Sequence, residues 1–207
     1  ALGICIDKIK KIIRKNKLNA EIIVVDNGST DRSREIAKQK KVILIDEPSR
    51  GYGSAYLTGF RNAKGKYIFM ADSDGSYDFS EIPRFISELK KGYDFVIGNR
   101  FKGKMEKKAM PLSHRHLGNP VLSSILRAFF KTKVKDSHCG MRAIKKQALD
   151  KLNLKTKGME FASEMVIKAE KKNLKIKQLP VNYYKRKSGG EIDFILNGEK
   201  AYEVKIN

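Results

Sequence analysis

The sequence predicts an α/β fold built on a mostly parallel sheet with helices on both faces. Three observations predict it. Short apolar or β-branched runs alternate with amphipathic segments, the runs are strand-length, and the residues just after them are acidic or Gly-rich. In such sheets ligands bind beyond the carboxyl ends of the strands, so those following residues are where chemistry is sought.

Leu2, Ile6, Ile9 and Ile13 recur at helical spacing with lysines between, so the chain opens in an amphipathic helix. Residues 21–26 form a β-branched run that predicts a strand, closed by the turn Asn27-Gly28-Ser29, with Thr30 or Asp31 capping a second helix. Residues 42–45 predict the next strand. The loop Ser49-Arg50-Gly51-Tyr52-Gly53 follows, then a helix to about Ala63 and a strand over 67–71. Ser80 caps a helix that runs through Lys90, and Phe95-Val96-Ile97 makes a further buried strand. Beyond it come a basic loop over 102–108, a helix near 117–130, a turn over 136–142, a helix near 161–172 and a last strand near 176–184 ending in Lys185-Arg186-Lys187. Asn197-Gly198 between alternating apolar runs predicts a β-hairpin in the tail. The organisation expected is one domain over 1–187 and an atypical tail over 188–207.

With 207 residues and 41% hydrophobic content the chain can bury a full core. Lys and Arg number 44 against 23 Asp and Glu, a formal charge of +21 that attracts phosphorylated substrates, acidic lipid surfaces or nucleic acid. Cys5 and Cys139 stand far apart without metal-ligand spacing, which argues against a disulfide framework and a zinc site. His114, His116 and His138 form no ligand spacing with carboxylates. No apolar run reaches membrane-spanning length.

Asp72-Ser73-Asp74 sits at the mouth of a buried strand, where two carboxylates one residue apart can share a hard divalent cation and leave positions for phosphate oxygens. A polar turn has the same composition. Residues 26–31 (Asp-Asn-Gly-Ser-Thr-Asp) offer a carboxylate beside a helix start, and Arg50-Gly51-Tyr52-Gly53 lets backbone approach a ligand closely; each reads equally as an ordinary βα loop.

Taken together and in order, Val24-Val25-Asp26-Asn27-Gly28-Ser29-Thr30-Asp31, the Arg50 loop followed by Gly59, and Asp72-Ser73-Asp74-Gly75-Ser76-Tyr77 leading to Ile82-Pro83 resemble the family 2 glycosyltransferases of GT-A fold. Gly98-Asn99-Arg100-Phe101, Leu117-Gly118-Asn119-Pro120 and Asp136 with Gly140-Met141-Arg142 resemble its dolichol-phosphate mannose or glucose synthase branch. The resemblance implies transfer, with inversion, of a hexose from GDP-mannose or UDP-glucose to a polyprenyl (dolichyl) phosphate at the cytoplasmic face of a membrane. It implies a nucleotide site at Asp26, Gly28, Ser29, Arg50, Gly51, Gly53 and Asp72, and Mg2+ or Mn2+ on Asp72 and Asp74. Catalytic roles fall to Asp74, Asp136 and Arg142, and acceptor-phosphate contacts to Arg100, Arg115 and Arg186, with Arg186 closing over the diphosphate. Glu164 reads either as site-facing or as a helix-surface glutamate.

Relatives begin with a hydrophobic strand before the first helix, so the expectation is a sheet lacking that strand, with its neighbours' edges exposed. Residues 190–205 depart from the family, and Asp193 with Glu203-x-Lys205 resembles the metal-binding hairpin of restriction-nuclease-like folds. Two other functions fit less of the sequence: a family 2 transferase with a saccharide acceptor, and an inactive basic module binding membrane or nucleic acid. The acidic cluster at Asp26, Asp72 and Asp74 opposes nucleic acid.

Overall fold

The computed structural model describes residues 1–187 and, as backbone, residues 192–198. In chain order the elements are α1 (Leu2–Lys15), β1 (Ala20–Asp26), α2 (Ser33–Gln39), β2 (Ile43–Asp46), α3 (Tyr52–Asn62), β3 (Tyr67–Asp72), α4 (Ile82–Lys90), β4 (Phe95–Asn99), α5 (Asn119–Phe130), β5 (Arg142–Lys145), α6 (Lys146–Leu152), α7 (Phe161–Lys171), β6 (Ile176–Pro180) and β7 (Ile192–Gly198).

Among the described residues these strands form one sheet in the order β2-β1-β7-β3-β5-β4-β6. β1 and β2 are parallel, as are β4 and β6, whereas β5 and β7 run antiparallel to both of their neighbours. Five strands therefore point one way and two point back, which is the mostly parallel sheet expected. Asp26 and Asp72 end β1 and β3 at the same, carboxyl, end of the parallel strands. The core is apolar in the way a two-sided sheet requires: Ile23 to Val25, Ile68 to Ala71 and Phe95 to Ile97 are all buried. α1 buries Leu2, Cys5, Ile6 and Ile9, and the Cys5 thiol reaches the Ser73 carbonyl at 3.4 Å, tying the first helix to the acidic loop.

Two expectations are corrected. No edge lies open between β1 and β3, because β7 occupies that slot with Ile195 opposite both Ile23 and Met70. The tail hairpin is not formed as expected: Asn197 and Gly198 are strand residues, both edges of β7 are already paired, and neither is left for a second arm. The second arm itself, with Glu203 and Lys205, lies outside the described residues, as do 188–191. The sheet itself includes 192–198, on the far side of the expected boundary at 187/188. Smaller differences have local causes. Asp78, not Ser80, caps the segment before α4, its side chain accepting from Ser80 N. β5 is only four residues long, two of them charged, too short for a period to register in sequence.

Every residue of a doubly paired strand uses its N–H in one ladder or the other. Leu196→Pro is therefore expected to remove a bond and wedge β1 from β3, costing about 3 kcal/mol or more and lowering Tm by about 10 °C. An unchanged melting curve would contradict this placement of β7.

Candidate active site

The acidic pair is built by β3 and the loop after it. Asp72 is the last residue of an otherwise buried strand, and Asp74 is buried two residues on. Ser76 N donates to Asp74 Oδ1 at 2.8 Å, while Arg186 Nε lies 2.8 Å from Asp74 Oδ2. Lys187 N donates to the Asp74 carbonyl and Tyr184 N to that of Ser76, so residues 184–187 strap the acidic loop. The hydroxyls of Tyr52 and Tyr56 each stand 3.4 Å from Asp72 Oδ1. On the other side, a Cβ on Gly140 would sit 2.5 Å from Asp72 Oδ2, so only glycine lets the 136–142 turn close on this carboxylate.

Burial, and then the charge of Asp74, pushes the Asp72 carboxyl up to about 6; Arg186, Arg100 and Arg142 pull against that rise. Two carboxylates in such strain for positive charge suit a hard divalent ion with oxygen ligands, as the donor set also does. Among the described residues no group of three or more His, Cys, Asp or Glu could hold a metal. Asp72 and Asp74 would thus supply part of the coordination and leave the rest to ligand oxygens.

On β1, Asp26 is buried and fully engaged. Ser29 N donates to its Oδ1 at 3.1 Å and Arg34 Nη1 to its Oδ2 at 2.7 Å, while Arg34 Nη2 also reaches Asp46 at 2.9 Å. Burial opposes its charge, yet Ser29 and Arg34 outweigh burial and hold the carboxyl below its ordinary range. Asn27 stitches two loops together, donating to the carbonyls of Glu47 and Ser49 and accepting from Gly51 N at 2.7 Å. The Arg50 side chain lies over Gly28, 3.4 Å from where a Cβ would stand.

Gly51 and Gly53, expected beside a nucleotide, are closely approached by another stretch of the chain. A Cβ on Gly51 would meet the Lys157 carbonyl at 2.3 Å, and one on Gly53 the Thr156 carbonyl at 2.2 Å. The backbone that approaches them is the chain's own 156–158 segment, which also accepts from Gly53 N and Ser54 N. Glu164 anchors that segment. It accepts from Thr156 N, Thr156 Oγ1 and Lys155 N at 2.6 to 3.0 Å and pairs with Lys168 at 2.6 Å. Burial opposes its charge, but Lys168, Thr156 and the Lys155 amide hold the carboxyl down to about 2.

The third wall comes from β4 and the 136–142 turn. Asn99 caps the turn after β4 by accepting from Phe101 N, which aims Arg100 inward. Arg100 then grips the fully buried Asp136 through Nε at 2.8 Å and Nη2 at 2.7 Å, with its own N–H adding a third bond at 3.0 Å. Arg142 is fully buried and donates to the carbonyls of Cys139, Ala162 and Ser137 at 2.9, 3.0 and 2.8 Å. Arg142, expected in a catalytic role, uses three of its five donors on backbone and so holds the turn beside Asp72. Arg100, expected on the acceptor phosphate, is engaged by Asp136. Arg115 is exposed in the π-helical turn 114–118 before α5. The structure thus brings Asp72, Asp74, Arg186 and the 136–142 turn together, and leaves Arg115 outside these networks. Sequence reading missed Asn27 as a stitch, Arg34, and the Tyr52 and Tyr56 hydroxyls; a helical spacing of four that puts both tyrosines on one face was the available signal. A groove of about 450 Å³ lined by Lys10, Ile13, Val42 and Ile43 opens at the opposite end of β1, away from this chemistry.

The fold, a mostly parallel sheet flanked by helices, is that of the GT-A glycosyltransferases. Crystal structures of glucosyl-3-phosphoglycerate synthase from Mycobacterium tuberculosis superpose with a TM-score of 0.68 over 87% of this chain and 65% of theirs, at 18 to 19% identity. One holds phosphoglyceric acid, another Mn2+, uridine diphosphate and glucosyl-3-phosphoglycerate. The chain belongs to glycosyl transferase family 2, whose model matches residues 1–152. It is 37% identical over 195 residues to the low-salt glycan biosynthesis hexosyltransferase Agl6 of Haloferax volcanii, which covers 94% of this chain and 47% of that protein. It is 28% identical over 173 residues to the glycosyltransferase AglJ of the same organism, 83% of this chain and 56% of AglJ. The chain spans about half the length of these two relatives.

Two substitutions test the walls of the site. Asp136→Ala leaves Arg100 buried without its partner and should cost about 3 to 5 kcal/mol in urea unfolding; a loss under about 1 kcal/mol would contradict the pairing. Glu164→Gln should cost about 2 kcal/mol at pH 7. Because a depressed carboxyl stabilises the fold only while ionised, the gap between variant and parent should close as pH falls from about 4.5 to 2. A gap that widens on acidification would contradict this assignment.

Proposed function

We propose that this chain is the catalytic domain of a hexosyltransferase that moves a hexose from a nucleoside-diphosphate sugar, GDP-mannose or UDP-glucose, to a polyprenyl phosphate of the dolichyl type, with inversion and with Mg2+ or Mn2+. The observation that carries this reading is the buried pair Asp72 and Asp74 at the mouth of β3, with Arg186 already seated on Asp74. Departure of the sugar leaves growing negative charge on the diphosphate, and a divalent ion held by the pair would neutralise it. Arg186 extends from an exposed strap, its side chain 65% accessible, and exchanges Asp74 for the diphosphate when donor enters. Gly28, Ser29 and Arg50 form the nucleotide side beside Asp26, and Gly51 and Gly53 set the position of that loop.

At the acceptor side both oxygens of Asp136 are held by Arg100, so Asp136 orients rather than removes a proton. A phosphate acceptor is ionised at neutral pH and asks for no strong base. Positive charge for it comes from Arg115, Arg186 and the lysines of the 102–108 loop, which also suit the cytoplasmic face of an acidic membrane. Among the described residues no helix is long and apolar enough to cross a membrane, so contact through these residues would be peripheral. The hexosyltransferase name of Agl6 supports the sugar class, and the Mn2+, uridine diphosphate and phosphoglyceric acid in the synthase crystals support a metal, a nucleotide and a phosphate-bearing acceptor.

The test is a transfer assay with radiolabelled GDP-mannose and UDP-glucose, with polyprenyl phosphate or a soluble saccharide as acceptor. Label is expected in the lipid fraction only with Mn2+ or Mg2+, and Asp72→Ala or Asp74→Ala should lower the rate by at least about 100-fold, the scale of losing a principal charge-stabilising group. Label in the saccharide alone would overturn the acceptor assignment, and no transfer by a folded chain would overturn the enzyme reading.

A further inference from the structure

α5 turns Ser123 and Leu126 into the protein and a continuous apolar face outward. Val121, Leu122, Ile125 and Phe129 are exposed there, Phe129 at 77%, and the preceding turn adds Leu112 at 73% and Leu117 at 66%. Leu117, Val121, Ile125 and Phe129 recur every four residues, which lines them along one side of a helix. A soluble helix normally shows its polar side to water, so this face is inverted.

The surrounding charge is one-sided. From Lys107 to Lys135 the sequence contains seven Lys and Arg and no Asp or Glu. Lys107 and Lys108 precede the apolar face, Arg115 and Arg127 flank it, and Lys131, Lys133 and Lys135 follow it; all are exposed except the half-buried Arg127. An apolar stripe whose own stretch of chain carries only cations matches a surface that is apolar below and anionic above, which is a bilayer with acidic headgroups. A protein partner of matching shape would need an acidic rim of its own, and a second copy of this chain would bring like charge against like.

We propose that the outward face of α5, with the turn before it, docks on an anionic lipid bilayer. This deepens the membrane-facing part of the function proposed above. The inner face of the same helix touches the acceptor wall: Ser123 Oγ and Ser137 Oγ are 2.9 Å apart, and Ser137 follows Asp136. Docking therefore sets the Arg100–Asp136 pair about one helix diameter, roughly 10 Å, from the headgroups. A phosphate carried on a lipid would arrive at that depth.

The test is co-sedimentation of the full chain with vesicles of phosphatidylcholine alone or with about 30% phosphatidylglycerol. Binding is expected only to the anionic vesicles, weakening in high salt. Ile125→Glu with Phe129→Glu should lower partitioning at least tenfold while leaving metal-dependent nucleotide binding unchanged. The chain has no tryptophan, so Phe129→Trp provides a single reporter whose emission should shift to the blue on anionic vesicles. Undiminished vesicle binding by the double glutamate variant overturns the proposal, as does a concentration-dependent dimer that the same variant dissolves without any vesicle binding by the parent. Transfer to a short-chain, water-soluble polyprenyl phosphate without vesicle binding would overturn the docking face and leave the enzymatic reading standing. Vesicle binding without such transfer would do the reverse.

Discussion

Two carboxylates separated by one residue at the end of a buried strand repel each other in a medium that screens poorly, and the rest of the site follows from that repulsion. Asp72 answers it by a proton affinity that burial and the Asp74 charge raise, while the Tyr52 and Tyr56 hydroxyls stand where they can donate to its ionised form. Asp74 answers it by a salt bridge to Arg186. Because Arg186 sits on an exposed strap rather than in the core, its charge can be exchanged for another cation without unfolding anything.

The walls around this pair are held by backbone hydrogen bonding. Asn27 uses its side-chain amide on three main-chain groups, and Arg142 uses its guanidinium on three carbonyls. Arg142 satisfies carbonyls that would otherwise be buried unpaired, at a cost comparable to a lost hydrogen bond each, whereas Asn27 ties together part-buried and exposed loop groups. Arg100 and Asp136 form the deeper support, and their burial makes each dependent on the other. β7 plays the corresponding part for the sheet, pairing the facing edges of β1 and β3.

The strands β1, β3 and β4 were legible because their residues are apolar on both faces, and the acidic pair because it lies where a parallel sheet opens to ligand. Three features were not legible, each for a physical reason. Arg142 carries a charge that from sequence alone looks available, and only the tertiary fold surrounds it with carbonyls. Gly51 and Gly53 signal close approach without saying by what, and the approaching chain is more than a hundred residues downstream. Asn197-Gly198 has strong turn chemistry, which lost to a long-range pairing that satisfies both edges of the strand. Local propensity gave way wherever a distant partner completed a hydrogen-bond ladder or a buried charge.

The central claim is that Asp72 and Asp74 hold a divalent ion shared with a nucleoside diphosphate. Calorimetric titration of GDP and of UDP into the chain, with Mn2+ and then with EDTA, tests it most directly. The account predicts saturable binding of one nucleotide that EDTA abolishes and that Asp74→Ala removes from a protein still folded by circular dichroism. Binding of equal strength in EDTA, or by the Asp74→Ala variant, would contradict it.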